Sequence, residues 1–170
     1  MEIQGDGFTL RGWQLSDSAS LQRNADNPKI AQYLLDRFPS PYSMEAAENW
    51  VEYWQNQDPM INFAIAIGDE IIGGVGLEIR HDIYRKTPLI GYWLAEQYWG
   101  KGIMPKAVKL VSQYAFEQLD AICMLAYVIG KNASSMRVLE KAGFAKIGII
   151  PQSVIKGGEI YDEHIYALQK

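Results

Sequence analysis

From residue 7 to residue 13 (Gly7-Phe8-Thr9-Leu10-Arg11-Gly12-Trp13) apolar and polar positions alternate, the period of a strand with one buried face. Ser16-Asp17 then offers an N-cap for a short helix. Asn27-Pro28 offers a clearer one, with proline at the first helical position. The helix from Pro28 carries Ile30, Tyr33 and Leu34 on one face. It must stop near Phe38-Pro39-Ser40-Pro41, because proline disfavours helical geometry in the residue before it. Ser43 caps the next helix, in which Ala46, Ala47, Trp50, Val51 and Trp54 recur at helical spacing. Residues 63–67 and 71–79, rich in β-formers and separated by Gly68-Asp69-Glu70, predict a hairpin.

Residues 89–95 predict a further strand, and residues 104–119 a long helix with Pro105 in its first turn and Ala107, Val108, Val111 and Ala115 on the buried side. Residues 123–129 form a short, continuously apolar run, as expected of a central strand. Residues 132–142 predict a capped helix with Gly143 just past its end, and residues 144–150 and 160–168 the last two strands. With no repeat, linker or low-complexity tract, the chain from 1 to 170 is one domain with a core over about 8–168. The economical architecture is α/β (α+β mixed): one mixed sheet flanked by helices.

Composition narrows the class. Apolar residues make up 48% and charged residues 21% of 170, the range of ordinary globular domains. No apolar run approaches the roughly 20 residues that span a bilayer. Met1-Glu2-Ile3-Gln4-Gly5-Asp6 has neither the basic nor the apolar region of a secretion signal, so a cytoplasmic location and no membrane partner are expected. The net charge is −4 and the Lys and Arg residues are dispersed, which argues against nucleic acid as a partner. His81, His164 and the single cysteine, Cys123, have no metal-ligand spacing, and no metal is expected. Cys123 reads as a small core residue.

The chemistry lies in Gly91-Tyr92-Trp93-Leu94-Ala95-Glu96-Gln97-Tyr98-Trp99-Gly100-Lys101-Gly102-Ile103: a strand, a loop with two closely spaced glycines, then a helix N-terminus. Glycines let backbone N–H groups approach a ligand, and the helix end adds partial positive charge, so the segment suits a pyrophosphate; two glycines alone fit an ordinary strand-to-helix turn as well. It is not a P-loop, which ends in Gly-Lys-Ser/Thr, and it does not complete a dinucleotide G-x-G-x-x-G. Gln97-x-x-Gly100-x-Gly102 after Gly91-Tyr92-Trp93-Leu94 closely resembles the acyl-CoA motif of the GNAT superfamily of N-acetyltransferases. Asn132-Ala133-Ser134-Ser135-Met136-Arg137-Val138-Leu139-Glu140-Lys141-Ala142-Gly143-Phe144 is similar to the second half of the same cofactor site. Asn27-Pro28, Tyr42, Trp50 and the closing residues 157–168 resemble the branch that acetylates the N-termini of ribosomal proteins.

The resemblance implies a GNAT-like fold whose mostly antiparallel sheet splays at the cofactor strand. It implies acetyl-CoA as cofactor and a primary amine, on a protein N-terminus or a small molecule, as acceptor. The backbone around Gln97, Trp99, Gly100, Lys101, Gly102 and Ile103 would hold the pyrophosphate. Tyr92, Trp93 and Leu94 would splay from residues 123–128 and bind the pantetheine amides, with a backbone N–H near Trp93 or Leu94 as oxyanion donor. Asn132 would contact the cofactor arm, and Ser135 would sit near the sulfur as proton donor. The plain alternatives are an N-cap for Asn132 and a capping partner for Ser135.

Many relatives carry a Glu two residues before Gly-Tyr-Trp, where this chain has Leu89. Glu78, Asp162 or Glu163 would have to serve as base, with Tyr161 assisting. An acceptor groove is expected between residues 35–42 and a loop over 151–158. Homodimers are frequent among relatives, so one is admissible here. The competing reading is a catalytically weak acyl-CoA sensor or interaction domain, which keeps the glycine loop, dispenses with the base and releases no thiol with any amine.

Overall fold

Strands Glu2–Gln4 (β1) and Thr9–Arg11 (β2) pair antiparallel at one edge of the sheet, in a computed structural model that describes residues 1–170. Helices Ser18–Ala25 (α1), Pro28–Ala31 (α2) and Met44–Trp54 (α3) follow, then strands Asn62–Ile67 (β3), Glu70–Glu78 (β4) and Leu89–Leu94 (β5). Helix Ile103–Gln118 (α4) crosses to strand Cys123–Ile129 (β6), and helix Ala133–Lys141 (α5) leads to strands Ala145–Lys156 (β7) and Glu159–Gln169 (β8). All eight strands form one sheet in the order β1-β2-β3-β4-β5-β6-β8-β7. Every neighbouring pair is antiparallel except β5 and β6. The mixed, mostly antiparallel α/β architecture expected from the sequence is the one observed.

Two cores follow from strand alternation. Phe63, Ile65, Ile72, Val75, Leu77, Ile90, Met124, Ala126 and Val128 pack with α4 and with Leu139 of α5 on one face. Trp13, Leu21, Val51, Ala64, Ala66 and Ile71 form a smaller core under α1 and α3 on the other, with Trp50, Trp54 and Trp93 packed against it. No helix is long and apolar enough to cross a membrane.

Several expectations need correction. Strand β1 was not foreseen. Helix α2 is a single turn: Asn27 Oδ1 caps it by accepting from the Lys29 N–H at 2.9 Å, but Tyr33 and Leu34 lie beyond its end. Asp17 does not cap α1 with its side chain; that carboxylate accepts both guanidinium nitrogens of Arg11 at 2.8 Å and the Gln14 N–H at 2.8 Å. The expected loop over 151–158 is mostly strand. β7 runs through Pro151, with three residues (151–153) facing only Asp162 between the pairs Ile150↔Glu163 and Val154↔Tyr161, and turns at Gly157-Gly158. An irregularity on an edge strand is a site where proline is tolerated, because the missing N–H interrupts no ladder.

Candidate active site

The parallel ladder between β5 and β6 consists of one registered pair, Leu89↔Leu125, supported by the Leu125 N–H to Pro88 carbonyl bond of 3.1 Å. Beyond it the strands part. On its other edge β5 keeps full register with β4, from Glu78↔Leu89 to Gly73↔Leu94, and the Ala95 N–H donates to the Ile72 carbonyl. Alternation therefore turns the Gly91 and Trp93 amides to β4, and the Tyr92 and Leu94 amides into the gap. Of the two oxyanion donors expected, the Trp93 N–H is committed to the ladder, and the Leu94 N–H is the one that faces the gap. The Leu94 carbonyl is already taken by the Trp99 indole N–H at 2.7 Å. Mid-sheet amides without a ladder partner are what an extended, amide-bearing ligand requires.

At the wide end of the gap stands the glycine loop. Gly100 and Gly102 have φ of +74° and +76°, and a Cβ at either would meet nothing within 4 Å. Glycine is needed there for the left-handed backbone, not for lack of room. The N–H groups of Gly100, Lys101 and Gly102 have no hydrogen-bond partner in the chain, and Gly102 caps α4 with no side-chain bond. These amides and the first turn of a 16-residue helix converge on open space, a fit for a pyrophosphate. The side chains hold the loop from outside. Gln97 Nε2 donates to Asn24 Oδ1 at 2.9 Å, while Glu96 accepts from Asn27 at 2.8 Å and from Lys29 at 2.5 Å. Lys101 Nζ lies 5.2 Å from the centre of the Tyr98 ring.

Across the gap, Asn132 is the N-cap of α5, accepting from the Ser135 N–H at 3.2 Å. Ser135 Oγ lies 2.8 Å from the Tyr92 hydroxyl, which also reaches the Ser135 carbonyl at 3.2 Å. This contact ties β5 to α5 over the gap, and burial holds the Tyr92 phenol well above its ordinary pKa, so it stays protonated. The sequence names both residues, but strand alternation alone does not reveal that they meet.

The carboxylates separate by face. Trp93 packs on the α1–α3 side of the sheet and Tyr92 on the α4 side. Leu89 therefore faces the α1–α3 side, and Glu78, its cross-strand partner, lies beside it. Glu78 is exposed, with Arg37 at 3.6 Å. In β8, Tyr166 is buried on the α4–α5 side, which places Glu163 opposite Ile129 on the same face as Glu78. Asp162 alternates to the other side, and its Oδ1 accepts the Gln152 N–H of the β7 irregularity at 2.9 Å. The structure thus brings Glu78 and Glu163, and not Asp162, to the face of the Leu89 position. Burial raises the pKa of Glu163, which has no hydrogen-bond or ion-pair partner. On this face a cleft of about 300 Å³ lies between α2, the segment after it and the tip of β7. Phe38 lines it, with its ring centre 5.8 Å from that of Trp93.

Residues 8–145 match the family model of the acetyltransferase (GNAT) domain. The probable N-acetyltransferase YjcK of Bacillus subtilis is 37% identical over 175 residues, covering 98% of this chain and 96% of that protein. Among solved structures, a GNAT-family acetyltransferase from Bacillus anthracis matches with a TM-score of 0.85 at 20% identity, over 99% of this chain and 98% of that one. RimL, a ribosomal L7/L12 α-N-protein acetyltransferase in complex with coenzyme A, matches with a TM-score of 0.84 at 23% identity, over 99% and 98% of the two chains. The microcin C7 self-immunity acetyltransferase MccE, in complex with acetyl-CoA and AMP, matches with 0.83 at 24% identity, over 98% and 94%. A splayed parallel pair, a left-handed glycine loop and a match along most of the sequence converge: the chain belongs to the GNAT family of acetyltransferases.

Proposed function

We propose that this acetyltransferase moves the acetyl group of acetyl-CoA to a primary amine, on a protein N-terminus or a small molecule, that enters from the cleft face. The observation that carries this reading is the ladder broken after Leu89↔Leu125 beside a glycine loop with three unpaired amides. Acetyl-CoA supplies an activated thioester that an amine attacks directly. The Gly100, Lys101, Gly102 and Ile103 amides would hold its pyrophosphate, in a loop shaped by Gln97 and Trp99. The Tyr92 and Leu94 amides would take the pantetheine, and the Leu94 N–H would donate to a developing oxyanion; one such donor contributes about 2.7–4 kcal/mol elsewhere. Trp93 would wall the acceptor side.

Ser135 Oγ would donate a proton to the departing thiolate and recover one from the nitrogen of the collapsing tetrahedral intermediate, while the Tyr92 hydroxyl, which stays protonated, holds Ser135 in place and Asn132 fixes the turn that aims it. Glu163 Oε is the better proton acceptor for the incoming amine, because burial brings its pKa closer to neutrality. Glu78 would pass the proton outward, where Arg37 holds its carboxylate. Asp162 has a structural task in β7 and drops out of the first rank.

The test is thermal unfolding with and without acetyl-CoA, followed by thiol release over a panel of amines. At 100 times the dissociation constant, binding adds about 2.7 kcal/mol. That is a rise of several degrees, at about 2–4 °C per kcal/mol for a chain of this size. A shift with thiol release supports the transferase. A shift without release with any amine leaves a sensor, and no shift removes the cofactor site.

A further inference from the structure

The cleft on the acceptor face has two charged residues in its lining, Asp36 and Lys156. Their ion pair is 2.8 Å long and unequal: the Lys156 side chain is 17% exposed and that of Asp36 is 86% exposed. Lys156 sits at the end of β7, beside the Gly157-Gly158 turn, and the pairing of β7 with β8 fixes its strand. Asp36 lies in the segment between α2 and α3, outside any helix or strand. The cation is therefore anchored in the cleft wall, and its carboxylate partner stands in water, where such a pair is worth little and exchanges readily. Another carboxylate entering the cleft would exchange for Asp36 at small cost. Two neighbours would help it: the Ser40 hydroxyl lines the cleft with no hydrogen-bond partner, and Phe38 connects the cleft to Trp93 on the strand that borders the gap.

We infer that Lys156 is an acceptor-recognition residue and that the acceptor carries a carboxylate near its reacting amine, the position that Asp36 fills in its absence. This rests on the acetyl-transfer reading and specifies its acceptor. An acidic side chain close to a peptide's amino terminus supplies that group, and so does the α-carboxylate of a free amino acid.

The experiment compares thiol release from acetyl-CoA with matched acceptors: peptides beginning Ser-Asp and Ser-Asn, and a free amino acid beside its amide. Wild type should favour the acidic member of at least one pair by about tenfold, the size of one charge-assisted hydrogen bond. The pair that shows it distinguishes peptide from amino acid. Lys156→Gln should abolish that preference, read as the ratio of rates within each pair. Asp36→Asn, which removes the internal competitor, should lower KM for the acidic member and leave kcat alone. Equal non-zero rates within both pairs, turnover of neutral members alone, or a preference that survives Lys156→Gln overturns the assignment. Failure of the acetyl-transfer reading shows separately, as no melting shift with acetyl-CoA or as no thiol release with any acceptor, acidic or neutral, in wild type and variants alike.

Discussion

In the proposed role of base, Glu163 would couple rate and stability in opposite directions. Burial raises its pKa in the folded chain, so the unfolded chain ionises first as pH rises. Stability is therefore full below the unfolded pKa of about 4.3 and declines as pH climbs to the folded value. Glu163→Gln should raise the melting temperature relative to wild type at pH 7, and that gain should vanish near about pH 4. The same substitution should lower turnover by roughly 10²–10⁴-fold if Glu163 accepts the amine proton. Asp162→Asn makes the contrast, since it loosens the Gln152 anchor and leaves the acceptor face untouched. Paired melting curves and pH–rate profiles of the two variants check both claims. A rate unchanged in Glu163→Gln would return the role of base to Glu78.

At the scale of elements, the buried pair Arg11–Asp17 joins β2 to the start of α1. Their side chains are 10% and 2% exposed. Asp17→Asn leaves the guanidinium buried without its counter-charge, a loss of about 3 kcal/mol. The melting temperature should fall by about 10 °C, read by calorimetry. The same residue shows what could be read from the chain in advance. Ser16-Asp17 carries a cap signal, but Arg11, six residues earlier on β2, takes the carboxylate, and apolar periodicity does not say that the strand turns its guanidinium back onto the turn that follows. Where the pattern is long and self-contained, the reading is close: β6 matches at both ends, β5 differs by one residue, and α4 by one at each end. Helix α2 ends at Ala31, short of Tyr33 and Leu34, although their spacing is helical. In β7, Pro151 signals a break, whereas the ladder accommodates it as an irregularity. For the site, the cofactor half was legible because glycines at fixed spacing carry their own geometry. The acceptor half was legible only as two facing segments, 35–42 and 151–158; that Asp36, Phe38 and Lys156 line one cleft was not, because they carry no shared motif.

For the whole molecule, the break between β5 and β6 divides the sheet into five strands on one side and three on the other. Amide exchange ordinarily slows toward the centre of a sheet. Here the slow strands should be β3 and β4, while Tyr92 and Leu94, in the middle of the order, should exchange like an edge. Deuterium uptake by peptides spanning β5 tests this: acetyl-CoA should protect Tyr92 and Leu94 and leave β3 unchanged, and slow exchange there without cofactor would contradict the open ladder. With one rung joining the two groups of strands, α4 is the main covalent tie between them and the gap is a seam. A ligand lying along that seam and hydrogen-bonding to β5 takes the place of a ninth strand. Its supply would then set how stiffly the two halves are sutured, so the protein would be most easily proteolysed when acetyl-CoA is scarce.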